Sequence, residues 1–114
     1  MTLRELSGHL ALNTLQAQGN FDVTVSGGYT SDLLSDVMAY GKEKNVWITC
    51  QVHENIVAIV KLKNLAGIIL VNSRKPDEVT MQKAREENVI ILGTAEPAFA
   101  ITGVLYGMLK KDNR

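Results

Sequence analysis

The segment Gly67-Ile68-Ile69-Leu70-Val71 decides the fold class, because it contains no polar side chain over its whole length. An uninterrupted apolar run is typical of a central parallel strand that is buried on both faces. A second such run, Val89-Ile90-Ile91-Leu92, is closed by Gly93. Between the two runs, Pro76 and Asp77-Glu78 predict the start of a helix, since proline and acidic residues both favour a first helical turn. The segments together have the spacing of a strand-helix-strand unit.

The same alternation extends toward the N-terminus. Val46-Trp47-Ile48-Thr49-Cys50 is rich in β-forming residues and predicts a strand. Ile56 to Val60 has the composition of a strand, but we interpret it as a helix ending near Lys63, because a helix there separates two strands as a βαβ unit requires. Phe21 to Ser26 alternates apolar and polar residues, which predicts a strand that Gly27-Gly28 ends.

The first residues carry a helix signal. Thr2 and Glu5 have the spacing of a capping box, in which each side chain bonds the other residue's backbone N–H. We therefore expect a short helix near residues 2–10. Leu12 to Ala17 is expected to form a short strand after it.

Two later helices have recognisable ends. Ser31 or Asp32 can cap a helix that Gly41 ends. Pro97 begins the last helix, in which the Gly103-x-x-x-Gly107 spacing allows another element to approach closely and favours tight packing or a subunit contact. The residues expected on the apolar faces of the helices are Leu33, Leu34, Val37 and Met38, then Val79 and Ala84, and then Phe99, Ile101, Val104, Leu105 and Met108.

Strands and helices alternate along most of the chain, which predicts an α/β fold with a mainly parallel β-sheet flanked by helices. The 114 residues have the length of one ordinary domain, and no linker or repeat divides residues 1–114. Hydrophobic residues make up 46% and charged residues 21% of the chain, which excludes a disordered or collagen-like protein.

Charge and apolar patterning narrow the classes of partner. The 12 basic residues balance the 12 acidic ones, so no nucleic-acid partner is expected. The longest apolar run, Leu65 to Val71, is far shorter than the ~20 residues that cross a membrane. One cysteine cannot form an internal disulfide, and the first residues resemble neither a signal nor a transit peptide. We expect a cytoplasmic protein.

Polar residues gather where the predicted parallel strands end, which is where open α/β sheets bind ligands. We expect a small molecule there and no cofactor. The expected ligand-binding residues are Gly27, Gly28, Ser31, Asp32, His53, Asn72, Ser73 and Thr94.

Gly27-Gly28 could form a phosphate-cradling turn, since glycines let backbone N–H groups converge on an anion beside a helix N-terminus. The alternative is that the two glycines only make a tight turn from strand to helix. The chain contains neither a P-loop nor a GxGxxG motif.

Cys50 and His53 could form a thiolate–imidazole pair. The alternative is a half-buried Cys50 that packs as a small hydrophobic residue beside a capping or surface histidine. A metal site with Glu54 would lack a third strong ligand at a fixed spacing. We predict no catalytic residue and no metal site.

The stretch from Val25 to Met38 resembles the opening motif of DRTGG domains, through Ser26-Gly27-Gly28-Tyr29-Thr30-Ser31-Asp32 in particular. The resemblance covers about residues 20–108. It continues through Val46-Trp47-Ile48-Thr49, Leu65-Ala66-Gly67-Ile68-Ile69-Leu70, Lys75-Pro76-Asp77 and Leu105-Tyr106.

DRTGG domains occur alone and as regulatory parts of larger proteins such as some phosphotransacetylases, and the N-terminal domain of HPr kinase/phosphorylase is similar. The resemblance implies an α/β regulatory domain whose catalysis, where there is any, lies in another domain. It does not imply kinase activity, because this chain lacks the kinase's P-loop.

Three functions follow as hypotheses. The first is a non-catalytic DRTGG module, expected as a homodimer, that binds a small anionic metabolite or nucleotide and reports it to a protein partner. The second is a protein–protein adaptor without a small ligand, which predicts a filled rim and an exposed apolar patch. The third is a small enzyme that uses Cys50 and His53.

Overall fold

Five strands and five helices make up residues 1–112, the part of the chain that the computed structural model describes. In chain order the elements are α1 (Leu3–His9), β1 (Asn13–Gln16), β2 (Gly27–Thr30), α2 (Leu34–Tyr40), β3 (Asn45–Thr49), α3 (Asn55–Lys63), β4 (Gly67–Leu70), α4 (Glu78–Glu87), β5 (Ile91–Gly93) and α5 (Ala98–Asp112).

The strands form one sheet in the order β1-β5-β4-β3-β2, which places β4 in the centre. Strands β2, β3, β4 and β5 run parallel, and β1 pairs with β5 in the antiparallel direction. The mainly parallel sheet expected from the sequence is therefore confirmed, and β1 and β2 are its two edges.

Helices cover both faces of the sheet. One core cluster joins Ile69 of β4 to apolar side chains of α1 and α5. The other cluster joins Ile68 and Leu70 to apolar side chains of α2, α3 and α4. All residues of β4 are buried, as the apolar run at Gly67–Leu70 predicts.

Several local signals are confirmed. The capping box of Thr2 and Glu5 is present at the start of α1. Ile56 to Val60 is helical and lies within α3, which ends at Lys63. Gly41 is the residue that ends α2.

The strand predicted from Phe21 to Ser26 is wrong. The carbonyl oxygens of Val23 and Phe21 accept hydrogen bonds from the backbone N–H groups of Leu3 and Arg4, at 3.0 and 2.9 Å. The first N–H groups of a helix have no partner inside the helix, so this segment satisfies the start of α1 instead of joining the sheet. Val25 is still buried, which accounts for the alternating pattern.

The sheet instead receives the residues that were expected to end that strand. Gly27 and Gly28 lie in β2 and pair with Asn45 and Val46 of β3. They do not form a turn before a helix, so neither the phosphate-cradling turn nor the tight turn is present. The first residue flanking α2 is Leu33, and neither Ser31 nor Asp32 takes that position.

Helix α4 presents a different face from the one expected. The Val79 side chain is 60% exposed, whereas Thr80 is buried. The hydroxyl of Thr80 donates to the carbonyl oxygen of Val52 at 2.8 Å, which satisfies its polar group in the core. Ala84 faces the core as predicted.

Helix α5 differs in the same way. Ile101 and Leu105 face the core as expected, but Phe99 and Val104 are 92% and 54% exposed. Leu33, expected on the apolar face of α2, is 64% exposed. Apolar residues occur on both sides of these helices, so periodicity alone does not identify the buried side.

Gln16 fixes the edge strand β1 to the rest of the domain. Its side-chain nitrogen donates to the carbonyl oxygens of Val89 and Gln18 at 2.7 and 2.9 Å, and its side-chain oxygen accepts from the N–H of Gln18 at 2.7 Å. The residue is only 4% exposed, so water cannot replace these partners.

We predict that Gln16→Leu lowers the free energy of unfolding by about 1–3 kcal/mol, because it leaves buried backbone groups without partners. Urea titration of both proteins measures the difference. Gln18→Leu is the control, since the Gln18 side chain is exposed and makes no hydrogen bond within residues 1–112. Equal losses of unfolding free energy in the two variants would contradict the role assigned to the Gln16 hydrogen bonds.

Candidate functional site

Asp32 joins the carboxyl ends of β2 and β3. Its Oδ1 atom accepts hydrogen bonds from the Thr49 hydroxyl and the Cys50 backbone N–H, both at 2.8 Å. The side chain of Gln51 donates to the Asp32 carbonyl oxygen at 2.8 Å. The Oδ1 atom of the carboxylate is therefore bonded to the chain itself, and no sequence motif indicates these partners.

Burial alone would raise the pKa of Asp32. The hydrogen bonds from Cys50 and Thr49 and the nearby positive charge of Arg74 outweigh burial, so the pKa lies below its ordinary value. Asp32 is accordingly ionised at neutral pH and attracts the loop after β4, which carries Arg74.

The loops after β4 and β5 are also joined to each other. The backbone N–H groups of Asn72 and Ser73 donate to the carbonyl oxygens of Glu96 and Thr94, at 3.0 and 2.9 Å. Both donors have a positive φ of 56°, which points successive N–H groups toward the second loop. The hydroxyl of Thr94 accepts from the Glu96 N–H at 3.1 Å, so these backbone N–H groups of the rim have partners within the chain.

His53 lies at a different place. Its Nδ1 atom is 2.9 Å from a carboxylate oxygen of Asp77, and both side chains are exposed. The pair lines a cavity of about 460 Å³ between the starts of α3 and α4. Asp32 and Thr94 do not line this cavity, so His53 does not share it with them.

A larger cavity of about 680 Å³ lies between β2 and α5. We call it the β2–α5 groove. Gly28 borders it, and a Cβ atom there would lie 3.3 Å from a methyl group of Leu105, so the missing side chain keeps the groove open. The residues that line it are Ser26, Gly27, Gly28, Tyr29, Thr30, Ile48, Thr102, Leu105, Tyr106, Leu109 and Lys110.

Helix α5 runs along the groove. Its Thr102 hydroxyl is 2.7 Å from the Thr30 hydroxyl, at the end of β2. Lys110 lines the same groove two turns further along, and its Nζ atom is 5.8 Å from the centre of the Tyr106 ring. Lys110 is the one charged residue among the lining residues.

The predicted site residues therefore fall into three places. Gly27 and Gly28 line the β2–α5 groove, His53 belongs to the cavity beside Asp77, and the remaining five belong to the rim of the sheet. Sequence reasoning missed Thr102, Tyr106 and Lys110. The i, i+4 spacing of the tyrosine and the lysine was the available signal, but a lysine near a helix end is also explained by the helix dipole.

The fold was compared with known proteins. No family model matches the chain, and no curated protein does either. Among solved structures, the chain is similar to the CBS and DRTGG domains of the regulatory region of Clostridium perfringens pyrophosphatase, in a crystal structure with the activator diadenosine tetraphosphate. The TM-score is 0.73 at 12% sequence identity, over 92% of this chain and 46% of the other.

This chain has a DRTGG-like fold. It spans about half the length of the chain that it matches. Within residues 1–112, no helix of the DRTGG-like domain is long and apolar enough to cross a membrane.

Cys50 is poorly suited to nucleophilic chemistry in the DRTGG-like domain. Burial raises the pKa of the Cys50 thiol, and its contact with the Asp32 carboxylate raises the pKa further. The thiolate is the reactive form, so a raised pKa lowers reactivity at neutral pH. His53 is hydrogen-bonded to Asp77.

We predict that iodoacetamide modifies Cys50 more slowly than free cysteine at neutral pH. Asp32→Asn should accelerate the reaction, because it removes the carboxylate that disfavours the thiolate. Mass spectrometry of the alkylated protein measures both rates. If iodoacetamide modified wild-type Cys50 faster than free cysteine, the result would support the enzyme hypothesis.

We predict that Asp32→Asn destabilises the domain by about 1 kcal/mol at pH 7, a value discounted because the side chain is exposed to solvent. The pKa of Asp32 is lowered on folding, so its contribution is present above the unfolded value near 4 and is lost as the pH falls through the folded value.

Urea titrations at neutral and at strongly acidic pH test this linkage. The difference between wild type and Asp32→Asn should shrink on acidification. Asp22→Asn serves as the control, since Asp22 makes only an exposed ion pair with Arg4. A difference that stays constant with pH would contradict the role assigned to the Asp32 charge.

Proposed function

We propose that the DRTGG-like domain is a regulatory module that binds a small anionic metabolite or nucleotide in the β2–α5 groove. The observation that carries this proposal is the groove itself, whose volume of about 680 Å³ falls within the ~300–1,000 Å³ of ordinary ligand pockets. It combines an open strand edge, an apolar floor and a single cation.

The lining of the groove fits an amphipathic anion. Ile48, Leu105 and Leu109 supply an apolar wall for the body of the ligand. As an edge strand, β2 directs half of its backbone polar groups away from the sheet, where they are free to bind a ligand. Lys110 supplies the positive charge that an anionic group would contact.

The similar structure supports a regulatory function. That protein is the regulatory region of a pyrophosphatase, complexed with a nucleotide activator. In our proposal the present domain likewise catalyses nothing itself. We further propose a cytoplasmic location, since nucleotides and phosphorylated metabolites are available there.

The rim residues have a supporting role in this proposal. Ser31 and Asp32 hold the ends of β2 and β3 together, and Asn72, Ser73 and Thr94 join the next two loops. They fix the strand that borders the groove and do not themselves contact the ligand. Of the eight residues expected at the site, Gly27 and Gly28 are therefore the proposed ligand contacts.

An adaptor without a small ligand is the second candidate. Phe99, Val104 and Tyr106 expose apolar surface on α5, which supports the exposed apolar patch that this hypothesis predicts. A protein partner or a second copy of the chain would use this outward face of α5.

We predict that native mass spectrometry detects binding of at least one of ATP, diadenosine tetraphosphate and acetyl phosphate to the folded protein. Lys110→Gln should lower the affinity roughly tenfold, since one charge-assisted contact contributes about 1.5 kcal/mol. Gly28→Val should lower it further by filling the groove beside Leu105.

Lys83→Gln is the matched control, because Lys83 is an exposed lysine of α4, on the opposite face of the sheet. Isothermal titration gives the affinities. Binding that Lys110→Gln and Gly28→Val leave unchanged would refute the groove as the site. A wild-type protein that binds none of the probes would favour the adaptor.

A further inference from the structure

The outward face of α5 has an unusual composition for a surface helix. From Ala98 to Leu109 the helix contains no charged residue. Phe99 is 92% exposed, and Val104 and Tyr106 are 54% and 65% exposed. A surface helix normally carries polar residues opposite its buried stripe, whereas a helix that is apolar all round is covered on both sides.

The same face contains a hollow beside its largest protrusion. Phe99, Gly103 and Gly107 follow one another at intervals of four residues, which places them along one side of the helix. A Cβ atom at either glycine would meet nothing within 4 Å, so the packing of this chain does not require glycine there. Glycine inside a helix is destabilising relative to alanine.

Charges of opposite sign lie near the two ends of the helix. Glu96, just before α5, is exposed, and Lys110-Lys111 lie in its last turn beside Asp112, whose carboxylate is paired with the N-terminal amine of Met1. Glu96 and Lys110 are equally far from Gly103 along the chain, as are Phe99 and Gly107. On the helix, Phe99 and Gly107 are therefore arranged symmetrically about Gly103, and the acidic and basic residues are equally spaced from it in the sequence.

We propose that a second copy of the chain covers this face, with the two α5 helices antiparallel and crossing at Gly103. A two-fold axis there places Phe99 against Gly107 of the partner subunit and Glu96 beside Lys110-Lys111 of the partner subunit. An isologous contact requires one surface to complement itself, and this face carries both members of each pair. A different protein would not require both members on one face.

The dimer surface adjoins the ligand groove at Tyr106 and Lys110, which line the groove, whereas Phe99, Gly103 and Gly107 do not line it. The buried stripe of α5, with Leu105 and Leu109, faces the sheet and the groove, and Phe99 and Gly103 point away from it. This inference goes beyond the proposed ligand binding. The two are tested apart, because Gly107 and Lys111 do not line the groove and the dimer is measured without ligand.

Sedimentation of the wild-type chain without added ligand tests the proposal. We expect a species of twice 12.5 kDa at micromolar concentration. Gly107→Leu should raise the dissociation constant roughly tenfold or more by filling the hollow, yet leave the melting temperature of the dissociated chain unchanged or higher because leucine favours helix.

Leu62→Asp is the matched control, since Leu62 is a 72% exposed apolar residue of α3. It should leave the dimer intact. A monomeric wild-type chain, or a dimer that Gly107→Leu does not weaken, overturns the proposal.

A charge exchange tests the antiparallel arrangement. Glu96→Lys and Lys111→Glu should each weaken the dimer, and the double variant should recover most of the lost affinity. Lys111 does not line the groove, so ligand binding does not enter this measurement. A double variant that dimerises no better than the single ones overturns the antiparallel contact.

Discussion

The burial of β4 on both faces is the constraint on which the rest of the fold depends. Ile69 faces one core cluster, and Ile68 and Leu70 face the other, so both sides of the sheet need a layer of helices. Gly67 begins the strand, where a Cβ atom would lie 3.2 Å from the carbonyl oxygen of Ile90, the residue just before β5. The strands β3 and β5 lie on either side of β4, and β1 and β2 form the edges of the sheet.

Hydrogen bonds between neighbouring loops hold the rim of the sheet together. From β2 to β5 each strand lies beside the next one in the chain, and right-handed crossovers then place α2, α3 and α4 on the same face. Open α/β sheets bind ligands where neighbouring loops diverge to opposite faces. The loops after β2, β3 and β4 all lead to helices on one face, whereas the loop after β5 leads to α5 on the other face. Neighbouring loops nevertheless bond to one another, as Asp32 does to Thr49 and, between the two diverging loops, Ser73 does to Thr94.

Much of the fold could be predicted from the sequence. Every residue of β3, β4 and β5 is buried, so each strand is visible as an apolar run in its own short segment. The error at Phe21–Ser26 arose because the same alternation also fits a segment that packs against the core while its carbonyl groups cap α1. The site was less predictable. Polar residues after strands are visible in the sequence, but whether they face a ligand or each other depends on strand order, which no local pattern records. Lys110 lines the same groove as Gly27 and Gly28 only because α5 packs on β2.

The two edges of the sheet are protected in different ways from pairing with another strand. At β2 this protection depends on α5. The register of β1 shifts between Thr14 and Gln16, and this irregularity makes β1 a poor template for another strand. β2 pairs in regular register and carries no charge or proline. Its neighbour α5 lies against it through Leu105 and Gly28, so the helix borders the open edge with one side and presents an uncharged surface with the other. A ligand that shifts α5 in the groove must also shift that surface, because a packed helix moves as a rigid body.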